Sequence, residues 1–136
     1  MVMCVDLYRK SMVSRTDKDD PRGSTFKLSL DEGVDYLFLN MVEGSFRGGH
    51  YHPFESFHLV LKGRIWFEFV AVSSGRRSET VVEAMEIVYI PAGVAHLLKA
   101  LEASMFMEPA GGLTEEYPPQ RRLVKEFLKA ARFNSE

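Results

Sequence analysis

The sequence predicts an all-β domain, a sandwich or barrel of short strands closed by one C-terminal α-helix. Three observations predict it. Short apolar or alternating runs follow one another through most of the chain, each closed by turn residues, and a period of two is what a strand with one buried face produces. After Pro118-Pro119 the spacing changes to that of one apolar helical stripe. The chain has 136 residues, 46% apolar and 26% charged, which suits one domain with one core and not a disordered or fibrous chain.

Taken in order, residues 11–24 (SMVSRTDKDDPRGS) are polar and contain Pro21 and Gly23, so residues 1–24 read as an exposed arm. A barrel is expected over residues 25–110, with strands at 34–42, 56–61, 64–72, 80–82, 86–90, 94–98 and 104–108. Gly48-Gly49, Lys62-Gly63, Ser73-Ser74-Gly75 and Pro91-Ala92-Gly93 read as turns between them. Leu123, Val124, Phe127, Leu128 and Ala131 give a helix over 118–133 that covers the barrel. Arg121, Arg122, Lys125, Lys129 and Arg132 read as its solvated side. The whole of 1–136 is expected to be a single domain.

Composition narrows the partners. A net charge of −2 gives no general field for nucleic acid or an anionic membrane surface, and no segment approaches the roughly 20 apolar residues of a membrane helix. The single cysteine, Cys4, has no internal disulfide partner and reads as inert, so a cytoplasmic protein with a small-molecule ligand is the expectation.

Chemistry concentrates in the histidines. Of four in the chain, His50, His52 and His58 fall within GHYHPFESFHL, and His96 lies further on. On a strand, positions i and i+2 share a face about 7 Å apart, so His50 and His52 point the same way and Tyr51 the other. Such a pair alone is more often polar surface or a hydrogen-bonded core feature than a metal site, which needs a third ligand from elsewhere, one that His96 can supply.

The segment GGHYHPFESFHLVLKG resembles the first motif of the cupin superfamily, and MEIVYIPAGVAH resembles the second, in which Pro91-x-Gly93 turns the chain and His96 enters the site. The resemblance implies a cupin barrel, a double-stranded β-helix of jelly-roll type, holding a divalent metal ion (Zn, Fe, Ni or Mn) on His50, His52 and His96. Counting back from Gly63, Ser56 stands where metal-binding cupins usually carry a glutamate ligand. His58, on the face of Ser56, or its neighbour Glu55, is the candidate replacement. Ser56 and Trp66 are then candidates for substrate contact.

A second likeness is narrower. Arg47-Gly48-Gly49-His50-Tyr51-His52 is similar to the RG-x-H-x-H stretch of cupins that isomerise or epimerise nucleotide-linked deoxysugars, and Asp20-Pro21-Arg22-Gly23-Ser24 is similar to the D-x-RG segment before their barrels. It implies metal-free catalysis with His50 as base and Arg47 clamping an anion. The tyrosine acid of the epimerases has no counterpart in Ser104-Met105-Phe106-Met107. Three functions follow: a metal-dependent cupin with oxygenase, isomerase or lyase chemistry on a small oxygen-bearing metabolite, a metal-free nucleotide-sugar isomerase, or a non-catalytic sugar- or metabolite-binding cupin. The resemblance also implies a homodimer.

Overall fold

Strands whose alternate side chains are apolar must bury one face, and here they do so in two antiparallel sheets packed face to face. The computed structural model describes residues 13–16, 19–30 and 33–134; the reading of Cys4 falls outside them. In chain order the strands are β1 (Ser14–Arg15), β2 (Thr25–Ser29), β3 (Asp35–Met41), β4 (Phe46–Tyr51), β5 (Ser56–Lys62), β6 (Arg64–Ala71), β7 (Arg77–Glu83), β8 (Ile87–Ile90), β9 (Val94–Ala100), β10 (Ser104–Pro109) and β11 (Glu115–Glu116), followed by α1 (Pro118–Asn134). The first sheet runs β1-β2-β3-β10-β5-β8 and the second β11-β4-β9-β6-β7.

Three local differences from the sequence reading have simple causes. Part of the expected arm, Ser14–Arg15, pairs with Lys27 and Phe26 as an edge strand. β7 is longer than 80–82, because its ladder to β6 runs from Glu83 to Arg77 while only Val82 is buried, and an exposed edge strand carries little apolar signal. Gly48-Gly49 is not a turn: both residues lie inside β4.

Inward-facing Leu39 and Met41 of β3, Val60 of β5, Ile65 and Phe67 of β6 and Phe106 of β10 make the centre of the core, each at most 6% exposed. The outer faces differ. α1 lies against β4 and β9, burying Val124 completely and covering that part of the second sheet. On the first sheet, Phe38 stands between Phe26 and Met107, and Met107 stands beside Leu59. Leu59 in turn pairs with Ile87, and Phe57 with Tyr89.

Candidate metal centre

The site begins with a backbone irregularity. Between β4 and β9 the register runs Gly48 to Leu97 and then His50 to His96, so β4 carries an extra residue, a β-bulge. Two glycines allow it. Gly48 (φ +91°) lies so close to β9 that a Cβ would sit 2.5 Å from the His96 carbonyl oxygen, and at Gly49 (φ +81°) a Cβ would sit 2.7 Å from the backbone of Arg121. The bulge aligns His50 with His96, and their ring centroids stand 4.8 Å apart. His52, just past the strand, is 5.2 Å from His50 and 5.5 Å from His96 by the same measure.

One ring nitrogen from each of His50, His52 and His96 lies within 4.8 Å of the other two. Hydrogen bonds select which. His52 Nδ1 lies 3.0 Å from the Leu113 carbonyl and 3.2 Å from Thr114 Oγ1, and His96 Nδ1 lies 3.3 Å from the Val94 carbonyl. A proton on each Nδ1 donates to those carbonyls and leaves Nε2 with its lone pair, the orientation that outer-shell partners give metal-binding histidines. His96 Nε2 is buried without a hydrogen-bond partner. An orphaned imidazole acceptor beside two further imidazoles fits a divalent cation. Burial pushes His50 down to about 4, helped by the charges of His52, His58 and Arg121 and opposed by Glu108. Burial, then His58 and His50, holds His96 well below the usual histidine range. Both are neutral at pH 7, the form a metal ion binds.

Beside the triad is a cavity of about 100 Å³ whose wall includes His50, His58, His96, Glu108 and three arginines, Arg22, Arg47 and Arg121. A larger open groove of about 400 Å³ between β7 and β8 is lined by Phe69, Val88 and Tyr89 among others and offers no histidine or carboxylate.

No protein-family model matches the sequence, and no curated protein matches it. Solved structures do match its shape. CapF with the inhibitor 3-isopropenyl-tropolone superimposes with a TM-score of 0.66 at 19% identity, over 79% of this chain and 34% of that one. The capsular polysaccharide assembling protein CapF from Staphylococcus aureus gives 0.63 at 19%, over 76% and 32%. The S161A mutant of Bacillus subtilis oxalate decarboxylase OxdC gives 0.62 at 15%, over 76% and 29%. The chain has the cupin fold. It spans about a third of the length of these proteins, and identities so low speak for fold alone.

Within this fold the remaining site residues are placed as follows. His58 faces the interior from β5, its ring 5.3 Å from that of His96, but its Nε2 lies 2.7 Å from Glu108 Oε2. It therefore stands beside the triad and is not its fourth member, which corrects the four-histidine expectation: β5 belongs to the other sheet, and a carboxylate there holds the ring. Glu55 is exposed in the turn before β5, outside the triad, because alternation from inward Ser56 sends it away. Ser56 is buried opposite Ile90 and does not line the cavity. Trp66 pairs with Val81 and Lys99 on the outward side of β6, opposite to Ile65 and Phe67, so it is not a pocket residue. Arg47 does line the cavity, 6% exposed, its Nη2 donating to the carbonyls of Gly23 (3.1 Å) and Asn40 (3.3 Å).

Two wall residues escaped the sequence reading of the site. Arg121 is not solvated with its helix neighbours: its Nη1 donates to the Gly48 carbonyl at 3.0 Å. Glu108, on β10, is the carboxylate at the site. Burial would raise its pKa, but the charge and hydrogen bond of His58, with His50 and His52, hold it below the usual value. Its signal was available in the alternation Ser104, Phe106, Glu108, which puts a carboxylate on the inward face of a core strand.

Proposed function

We propose that this protein is a metal-binding cupin that takes a small oxygen-bearing metabolite into its barrel. The observation that carries the reading is the convergence of His50, His52 and His96, with one ring nitrogen from each within 4.8 Å. Zinc, iron, nickel and manganese all accept imidazole, and the Mn(II) centres named for B. subtilis oxalate decarboxylase make manganese the first to try. Such an ion supplies Lewis-acid polarisation of a bound oxygen. The chain does the rest. Glu108 accepts a hydrogen bond from His58 Nε2 and keeps a proton available at the cavity wall. Leu39, Leu98 and Phe106 make the apolar part of the cavity wall.

Size supports a small ligand. The cavity beside the triad, about 100 Å³, has room for a small ligand. The metal-free isomerase reading is the weaker one because burial holds His50 down at about 4, which makes it a poor base at neutral pH. A cytoplasmic setting belongs to the proposal; no helix among the described residues is long and apolar enough to cross a membrane.

The test is elemental analysis of untagged protein purified without chelator, beside a His50→Ala/His52→Ala variant. Near-stoichiometric metal in the parent and none in the variant is the expected result. A parent that carries no metal, and takes up none on reconstitution, refutes the proposal and makes nucleotide-sugar binding the next experiment.

A further inference from the structure

Each sheet ends in an edge strand, β8 in the first and β7 in the second. Residues 84–86 join the two, yet β7 pairs with β6 and β8 with β5, and among the described residues no ladder closes the seam between them. The open groove of about 400 Å³ lies along that seam. Its floor is core surface. Phe69 faces inward two residues after Phe67, on whose ring it stacks at 5.7 Å, and Val88 stands opposite inward His58. Both pack against the core cluster and both remain only partly buried. Inward apolar side chains that still meet water stabilise any occupant that covers them.

The rim sets the polarity of that occupant. Among the described residues Arg76 is the only charged side chain in the wall, and it enters no ion pair. Its neighbour Arg77 is engaged on the far side of β7, donating to Glu68 at 2.7 Å and to Glu79 at 2.6 Å. Alternation separates the two arginines, sending Arg76 and Ser78 to the groove and Arg77 and Glu79 away from it. The Arg76 carbonyl accepts the Ala71 N–H at 2.9 Å, which fixes this residue at the mouth. One guanidinium with no carboxylate beside it selects an anion and disfavours a cation. An extended peptide is the poorer occupant, because β7 carries Arg77, Glu79 and Glu83, charges of the kind that keep edge strands from pairing, and β8 has only four residues.

The volume of about 400 Å³ falls within the roughly 300–1,000 Å³ of small-molecule sites. We propose that the groove is a second ligand site, for an organic acid with a compact aromatic or branched apolar body, its carboxylate held at Arg76 and its body laid against Phe69, Val88 and Val94. It shares no wall residue with the histidine cavity, so its occupant needs no metal. The two sites nonetheless adjoin, since Val94 gives His96 Nδ1 its carbonyl partner.

Titration of the full-length protein with 4-phenylbutyrate, followed by amide chemical shifts in the presence of chelator, is the test. Its alcohol, 4-phenylbutanol, has the same body without the charge. Saturable shifts at Phe69, Ser78, Val88 and Val94 are expected, with a Kd of about 1 mM or tighter. Arg76→Gln, at an exposed side chain, should weaken the acid roughly tenfold and leave the alcohol unchanged, since it removes one charge-assisted hydrogen bond. Arg76→Lys should keep most of the affinity. His50→Ala/His52→Ala should bind the acid as the parent does, whether or not the histidines hold a metal. Shifts centred on the histidines that vanish in that double variant would place the acid at the triad and overturn the proposal. So would an acid bound no better than its alcohol, an acid indifferent to Arg76→Gln, or no saturation by about 10 mM. Groove amides that move on concentrating the protein alone, with the mass doubling from 15.5 kDa, would assign the groove to a second copy and likewise overturn it.

Discussion

Replacing Gly49 with alanine tests whether the bulge that aims His50 depends on a missing side chain. The first cost is conformational: at φ +81° a Cβ meets the following carbonyl, at about 1–2 kcal/mol. The second is contact. The added carbon would lie 2.7 Å from the nitrogen and Cα of Arg121, 0.7 Å inside the 3.4 Å at which ordinary contact begins. Those atoms are helix backbone, so relief means moving the first turn of α1, which is tied to β4 by the Tyr117 N–H donating to the Gly49 carbonyl at 2.8 Å. Overpacking of this kind costs about 1–3 kcal/mol, for a total of about 2–5 kcal/mol. Gly75 supplies the control, since it has φ +74° with nothing within 4 Å, and Gly75→Ala bears only the first cost. Urea unfolding of both variants in chelator should lower both midpoints at unchanged m, with Gly49→Ala at least about 1 kcal/mol worse. Equal losses would refute the close approach of α1 to β4 as the reason for glycine at this position. No loss at Gly49 would refute the bulge.

Two further outcomes follow from burial. The metal-free protein should lose stability as pH falls from 6.5 toward about 4, because folding holds His50 and His96 neutral while the unfolded chain takes up protons at the ordinary value. Stability is full above 6.5 and declines below it by up to about 1.4 kcal/mol per pH unit for each histidine. Urea titrations across that range check it: His50→Gln should have a shallower slope than the parent, and a flat parent profile would be incompatible with neutral buried imidazoles. Phe106→Ala empties a site 1% exposed whose ring stacks on His58 at 5.1 Å. A loss of about 3–5 kcal/mol is expected in urea unfolding, and one below about 2 kcal/mol would mean that the core collapses into the gap.

The parts of this structure that could be read from sequence are those set by short-range geometry. His50 and His52 share a side because strands alternate, and Pro91-x-Gly93 sets the start of the strand that carries His96. The alternation around Trp66 was equally legible, since inward Ile65 and Phe67 force it outward. Glu108 and His58 are fifty residues apart in sequence and meet only because β10 pairs with β5, which no local pattern specifies. Gly48-Gly49 has the composition of a turn because turns and bulges both call for positive φ, and only pairing with β9 separates them. Arg121 carries the polarity of a solvated helix face, yet its place in the first turn of α1, against Gly49, directs it into the site.

The two halves of the site rest on different supports. The triad is local to the second sheet, with His50 and His96 facing each other across one ladder and His52 tied to residues just before β11. The pair His58–Glu108 belongs to the first sheet, and its approach to the triad is set by what lies between the sheets: Phe67 and Phe106 flank His58 at 5.6 and 5.1 Å. Metal affinity should therefore follow the β4–β9 ladder, and events at the bound ligand should follow the core. A core variant such as Phe106→Ala is expected to keep its metal while the proton-carrying pair shifts away from it. Gly49→Ala should do the reverse, loosening the metal by rotating His50 while the contact of His58 with Glu108 stays in place.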